Sequence, residues 1–184
     1  MRIIGGSAKG VRLGAVPPGT RPVSDRAREG LFSSLGDRVV GAVVLDLFAG
    51  TGALGIEALS RGALEAVFVD HARPSSKAIR ENLARTPFAA RGRVVTSDVL
   101  TYLRKPPPSR VDIAFADPPY DVESERIQPL LRELATAHVA EGFTVALTRG
   151  KGSSAPSVPL HWAVARQLHY GDSLVFLYRE VGWA

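Results

Sequence analysis

Short apolar runs alternate with amphipathic segments along most of the chain, and glycine and proline mark the breaks between them. The apolar runs are rich in Val, Ile, Leu and Phe, which is typical of strands buried on both faces. Strands are predicted in AVVLDLF, EAVFVD, RVVTSD, VDIAFAD, GFTVALTR, HWAVARQLHYG and SLVFLYRE. Helices are predicted in SDRAREGLFSSLG, ALGIEALSRG, PSSKAIRENLAR and ESERIQPLLRELATAH. The alternation predicts an α/β fold, a mostly parallel sheet with helices on both faces, and the tight Gly-Asp turn makes the last strand pair antiparallel.

The N-terminal part of the chain follows a different pattern from the rest. RIIGG and GVRLG are short apolar runs around GSAK, and they predict a β-hairpin. The helix that follows has recognisable ends, with Ser24 as N-cap and Gly36 as its stop. We therefore divide the chain into a basic hairpin appendage, residues 1–20, and an α/β domain, residues 21–184.

The charge of the chain is unevenly distributed. Seven lysines and arginines against three acids in residues 1–40 supply +4 of the net charge of +5. A basic arm on a nearly neutral body indicates an anionic partner such as nucleic acid. The chain has no cysteine, the four histidines have no metal-ligand spacing, and no apolar run approaches the roughly 20 residues of a membrane span. We expect a cytoplasmic, monomeric protein without a metal.

Residues 45–63, LDLFAGTGALGIEALSRGA, contain the first motif with a chemical meaning. A predicted strand runs into Gly50-Thr51-Gly52 and then into a helix, so the backbone can turn tightly and approach a ligand. Asp70 ends the next strand, where a carboxylate can accept both hydroxyls of a ribose. These features alone also fit a nicotinamide-dependent oxidoreductase, because the glycine spacing satisfies G-x-G-x-x-G.

Two further carboxylates favour S-adenosylmethionine over a dinucleotide. Asp46 lies inside the first strand, where a pyrophosphate would be repelled but an α-ammonium group would be stabilised. Asp98 ends the third strand and is placed to accept a hydrogen bond from an adenine amino group, although an acid there is also a common helix N-cap. The carboxyl ends of parallel strands meet at one edge of the sheet, which is where ligands bind.

The fourth strand ends in Asp-Pro-Pro-Tyr, residues 117–120. The lone pair of an aromatic amine is delocalised into its ring, so the nitrogen must be held before it can attack a methyl group. Asp117 and the carbonyl of Pro118 can each accept one N–H, while the prolines fix the backbone direction. Tyr120 can stack on the extruded base. The motif itself does not distinguish guanine from adenine N6 or a protein glutamine.

The combination of RIIGGSAKGVRL, RPVSDRAREGLFSSL, LDLFAGTGALGIEALSRGA and FADPPYD closely resembles the RsmD-type ribosomal RNA methyltransferases. The resemblance covers roughly residues 1–180. It implies a class I, Rossmann-like fold with a seven-stranded sheet, and S-adenosylmethionine as methyl donor. It also implies methylation of the exocyclic N2 of guanine 966 in 16S ribosomal RNA, with the small ribosomal subunit as partner.

The resemblance also implies site residues in this sequence. The catalytic group comprises Asp117, Pro118, Pro119 and Tyr120. The cofactor group comprises Asp46, Phe48, Gly50, Thr51, Gly52, Asp70, His71, Asp98 and Val99. The basic N-terminal residues expected to contact RNA phosphates are Arg2, Lys9, Arg12 and Arg21.

Overall fold

A computed structural model of the protein describes residues 1–14, 23–119, 122 and 124–182. Its centre is a seven-stranded sheet. The strands are β1 (Val43–Leu47), β2 (Glu65–Asp70), β3 (Gly92–Thr96), β4 (Val111–Ala116), β5 (Val139–Gly150), β6 (Trp162–Tyr170) and β7 (Ser173–Glu180). The helices are α1 (Asp25–Leu35), α2 (Ala53–Ser60), α3 (Arg73–Ala84), α4 (Val99–Leu103) and α5 (Ser124–Glu133).

The strand order is β3-β2-β1-β4-β5-β7-β6. Strands β1 to β5 are parallel, and β7 is antiparallel to both β5 and β6. The chain builds outward from β1 to β3 and then crosses to β4 on the other side of β1. This reversal leaves a crevice at the carboxyl ends of β1 and β4, the position at which open α/β sheets bind ligands. The predicted fold class, including the antiparallel last pair, is confirmed.

Two apolar cores cover the two faces of the sheet. One core contains buried residues of α1, α2 and α3, and the other contains buried residues of α4 and α5. Helix α1 begins and ends as predicted: the Ser24 side chain accepts a hydrogen bond from the Ala27 amide at 3.2 Å, and Gly36 follows the helix with φ of 55°. Its apolar face, Ala27, Leu31, Phe32 and Leu35, is buried as predicted.

The helix after β4 differs from its predicted extent. Helix α5 ends at Glu133, and residues Leu134–His138 form a π-helical turn that leads directly into β5. Strand β5 therefore begins at Val139, three residues before the predicted GFTVALTR. The pairing of β4 with β5 shifts between Val111 and Ile113, which absorbs the extra residues.

The N-terminal hairpin is shorter than predicted and lies on the body of the protein. It has a single antiparallel bridge, Arg2 to Arg12, with the Ile3 amide donating to the Val11 carbonyl at 3.0 Å. Ile3 and Leu13 are buried in the core that contains α1, α2 and α3. Part of the predicted appendage, residues 15–20, lies outside the described residues, so its boundary at residue 20 stays a prediction. Within the described chain, no helix is long and apolar enough to cross a membrane.

Candidate active site

The loop between β1 and α2 forms one wall of the crevice. Gly50 and Gly52 have φ of 57° and 76°, in the left-handed region that glycine adopts without strain. The Gly50 amide donates to Oδ2 of Asp70 at 2.9 Å. This bond ties the glycine loop to the end of β2. The sequence placed Gly50, Gly52 and Asp70 at this edge, and the structure brings them together.

The third glycine of the motif has a packing role. A Cβ atom on Gly55 would lie 2.3 Å from Cε1 of Phe68, a buried residue of β2. The Gly55 amide also donates to Oδ2 of Asp46 at 2.9 Å. Gly55 therefore lets α2 approach the sheet closely and anchors the carboxylate of β1. Phe48 has φ of 57°, a conformation that is strained for a non-glycine residue and occurs often at functional sites.

Asp46 lies close enough to two other carboxylates, Asp117 and Asp70, for their charges to act on it. Burial raises the pKa of Asp46 well above its ordinary value, and the nearby charges of Asp117 and Asp70 raise it further, while the hydrogen bond from Gly55 opposes the shift. Such a cluster is unfavourable when all its members are ionised. A positively charged ligand in the crevice would relieve this repulsion, so the electrostatics favour a cationic ligand over a pyrophosphate.

Asp117 lies directly beyond the end of β4, and its amide donates to the Leu47 carbonyl of β1 at 3.4 Å. Asp117 is partly exposed, and Pro118 is buried. Burial raises the pKa of Asp117 to about 7, and a hydrogen bond from the Thr148 side chain partly opposes that shift. This carboxyl group therefore titrates close to neutral pH. Pro119 is exposed, and Tyr120 lies outside the described residues.

Thr148 is a site residue that the sequence reasoning missed. It is buried on β5, and the pairing of Ala116 with Leu147 places it beside Asp117 on the next strand. The available signal was its position near the carboxyl end of β5, the same feature that identified the acids of the other strands. Threonine is common in strands, so its position alone did not indicate a site residue; the register of β4 with β5 is needed to place it beside Asp117.

The other predicted cofactor residues lie further along the same edge. Oδ1 of Asp98 accepts a hydrogen bond from the Thr101 amide at 2.8 Å, which makes Asp98 the N-cap of α4. That bond lowers the pKa of Asp98. Asp98 is exposed, so it keeps access to a ligand beside its capping role. His71 is exposed with Nδ1 3.8 Å from Oδ1 of Asp70, and Val99 is buried.

The three described basic residues of the hairpin, Arg2, Lys9 and Arg12, are exposed. Arg2 lies near Asp25, with 4.0 Å between Nε and Oδ2. Arg21 lies outside the described residues. Arg28, in contrast, is fully buried and donates to the Arg2 carbonyl at 2.8 Å, so its role is to fasten the hairpin to α1.

Glu57 of α2 is a second residue that the sequence reasoning missed. Its side chain is fully buried, and its two carboxylate oxygens accept hydrogen bonds from the amides of Ile4 and Gly5, both at 2.8 Å. Nε of Arg61 donates to the same carboxylate at 2.8 Å. Glu57 therefore holds the N-terminal hairpin against the helix that follows the glycine loop. Across the described part of the chain, no group of three or more His, Asp or Glu side chains is placed to hold a metal ion.

The fold recurs in solved structures. The chain superposes on the Escherichia coli protein yhhF, described as a candidate methyltransferase, with a TM-score of 0.87 at 34% identity over 98% of this chain and 97% of that one. With a sheet of this order and a glycine loop after its first strand, the molecule has the class I fold of S-adenosylmethionine-dependent methyltransferases.

Sequence comparison identifies the family. A family model described as "Conserved hypothetical protein 95" matches residues 1–179. Ribosomal RNA small subunit methyltransferase D of Escherichia coli K12 is 38% identical over 98% of this chain and 90% of its own length. YlbH of Bacillus subtilis, described as a candidate rRNA methyltransferase, is 33% identical over 99% of this chain and 100% of its own. The chain belongs to the family of ribosomal RNA small subunit methyltransferase D, which confirms both the resemblance and the predicted methyltransferase class.

Proposed function

We propose that this protein transfers the methyl group of S-adenosylmethionine to the exocyclic N2 of a guanine in small-subunit 16S ribosomal RNA, the guanine 966 type. The observation that carries the proposal is the position of Asp117 and Pro118 directly beyond the end of β4, where the Asp117 amide donates to the Leu47 carbonyl at the end of β1, the strand that leads into the glycine loop. The family of the chain supports ribosomal RNA as the substrate.

The acidic crevice fits the proposed methyl donor. S-adenosylmethionine supplies, when bound, an electrophilic methyl group on a positively charged sulfur, and it also carries an α-ammonium group. Asp46 and the Gly50 to Gly52 loop, together with Phe48, would hold the methionine end. Asp70 and His71 would hold the ribose, and Asp98 with Val99 the adenine. The repulsion that Asp46 experiences from Asp117 and Asp70 in the free protein supports a ligand with two positively charged groups over a pyrophosphate.

Asp117 and the Pro118 carbonyl would hold the two N–H groups of the guanine amine, which aims the nitrogen lone pair toward the methyl group. A carboxylate with a pKa near 7 also suits acceptance of the proton that the methylated nitrogen releases. Pro119 keeps the turn rigid, and Tyr120 would stack on the base after it leaves its neighbours. Arg2, Lys9, Arg12 and Arg21 would contact phosphates of the RNA.

The activity should depend on pH through Asp117. Ionised Asp117 accepts N–H bonds through both oxygens and can take the proton that the amine releases, whereas the protonated form below about pH 7 keeps only its carbonyl oxygen as acceptor and cannot take that proton. We therefore expect kcat/KM for RNA to rise about tenfold per pH unit below about 7 and to level off above it. Thr148→Val removes the hydrogen bond that lowers the pKa of Asp117. The rise of kcat/KM with pH should therefore occur at higher pH in Thr148→Val, and at the wild-type pH in Thr148→Ser. A rise at the wild-type pH in Thr148→Val would contradict this assignment.

The proposed substrate is tested by methyl transfer to unmodified ribosomal particles. We expect small subunits lacking the modification, incubated with methyl-labelled S-adenosylmethionine, to gain one N2-methylguanine. Mapping the modified nucleotide then identifies the guanine, and naked 16S RNA as a second substrate shows whether the assembled subunit is required. Label on adenine N6, or on a protein glutamine, would replace the guanine assignment.

We also propose that the protein acts as a monomer in the cytoplasm.

A further inference from the structure

Three arginines meet on the surface formed by α1, β6 and β7. Arg38 lies in the short 3-10 turn Gly36–Val39 after α1, Arg166 lies on β6 and Arg179 lies on β7. We call these three residues the arginine triad. Arg166 and Arg179 line a cavity of about 190 Å³ together with Ser34, Ala165 and Leu177. Arg38 lies outside this lining but close enough for its charge to act on Arg179. None of the triad has a part in the site described above.

A β-bulge creates the triad. The register of β6 with β7 runs from Ala163 opposite Arg179 to Arg166 opposite Leu177, which leaves Ala165 as an extra residue. Directly opposed residues share a face of the sheet, and Leu177 is buried in the core on the α1 side. The bulge therefore places Arg166 on the same face of the sheet as Arg179. On that face, Nη1 of Arg166 donates a hydrogen bond to Oγ of Ser34 at 3.2 Å.

None of the three arginines forms an ion pair within 4.0 Å with an acid among the described residues. Nε of Arg179 is buried and makes no hydrogen bond. Burial lowers the pKa of Arg179, and the charges of Arg38 and Arg166 lower it further. A buried donor without a partner costs free energy, and so does like-charge repulsion. Both costs would be removed by an anion in the cavity.

We propose that the arginine triad binds a phosphate group of the substrate RNA, away from the nucleotide that is methylated. Planar guanidinium groups suit phosphate oxygens because they donate paired hydrogen bonds. Arg179 pairs with Thr144 of β5, and Thr148, four residues further along that strand, lies beside Asp117. At about 3.3 Å per residue, Arg179 is therefore about 13 Å from Asp117 along the strand direction. The proposal rests on the proposed function, because it makes RNA the source of the phosphate.

The test compares three double variants on one RNA, a fragment of small-subunit 16S ribosomal RNA that contains the methylated guanine. The triad variant, Arg166→Gln with Arg179→Gln, removes the two arginines of the triad that line the cavity. Lys9→Gln with Arg12→Gln removes proposed contacts of the hairpin. Arg104→Gln with Lys105→Gln is the matched control, since both residues are exposed after α4 and the variant loses the same charge. Dissociation constants are measured between 50 and 200 mM KCl.

We expect the triad variant to bind the fragment about tenfold more weakly, with a salt slope smaller by about 1 than in the wild type. The value of kcat at saturating RNA should stay within about twofold, because the triad lies away from the reacting atoms. The Arg104 and Lys105 variant should keep the wild-type slope. An unchanged slope in the triad variant would overturn the proposal, and it would leave an acidic protein as the partner to test.

A second readout does not depend on methyl transfer. Inorganic phosphate should raise the melting temperature of the wild type above its value in KCl of equal ionic strength, because an anion that binds the folded state stabilises it. The triad variant should lose this increment, and the Arg104 and Lys105 variant should retain it. An equal increment in all three proteins would exclude the triad as the phosphate site. Failure of the wild type to methylate ribosomal RNA would instead contradict the proposed function.

Discussion

Asp117→Ala is expected to lower kcat by at least about a thousandfold while S-adenosylmethionine binds within about tenfold of the wild type. The alanine leaves the target amine with one fixed acceptor, the Pro118 carbonyl, so the nitrogen lone pair is no longer aimed at the methyl group. It also removes the group with a pKa of about 7 that is suited to take the released proton. Single-turnover methyl transfer measures the chemical step, and calorimetry measures cofactor binding.

Two variants make the Asp117 result specific. Asp117→Asn retains one acceptor oxygen without the negative charge, so we expect a rate between those of the wild type and the alanine variant. Glu65→Ala removes an exposed carboxylate at the amino end of β2, the far end of the sheet from Asp117, and should leave the rate unchanged. Turnover by Asp117→Ala at the wild-type rate would exclude Asp117 from the reaction.

Replacing Glu57 with alanine is expected to destabilise the protein by about 3 to 5 kcal/mol. The change leaves the amides of Ile4 and Gly5 without their acceptor. It also leaves the buried guanidinium of Arg28 without the carboxylate whose Oε2 lies 3.9 Å from its Nη1. Urea unfolding measures the loss. In Glu57→Ala, hydrogen exchange should become fast at Ile4 and Gly5 before it does so in the central strands, since the hairpin is released first.

The matched control for Glu57 is Glu81→Ala on α3. Glu81 forms an exposed pair with Lys77 at 3.8 Å, and pairs of this kind contribute little, so the free energy of unfolding should change by less than about 0.5 kcal/mol. Glu57→Gln keeps one acceptor oxygen, so its loss of unfolding free energy should lie between the losses of Glu57→Ala and Glu81→Ala. A loss below about 1 kcal/mol in Glu57→Ala would mean that the apolar contacts of Ile3 and Leu13 hold the hairpin without the carboxylate.

Much of the fold was predictable because its signals are local. The ends of α1 followed from Ser24 and Gly36, and the carboxylates at successive strand ends followed from where the apolar runs stop. The bounds of α5 and β5 were wrong because a π-helical turn joins them directly, and no glycine or proline marks that junction. The packing of the N-terminal hairpin was also unexpected, since its charges indicated a separate arm while Ile3 and Leu13 are buried in the core.

The amino-acid sequence by itself determined the parallel sheet, the glycine loop, the place of the Asp-Pro-Pro-Tyr motif after the fourth strand and the family, because each depends on residue types at short and definite spacing. The tertiary structure decided which distant residues act together. Thr148 meets Asp117 through the register of β4 with β5, and Glu57 meets the hairpin through the docking of residues 1–14. Arg166 joins Arg179 through a single-residue bulge. Register, docking and bulges arise from contacts between segments far apart in the chain, and local residue patterns do not encode them.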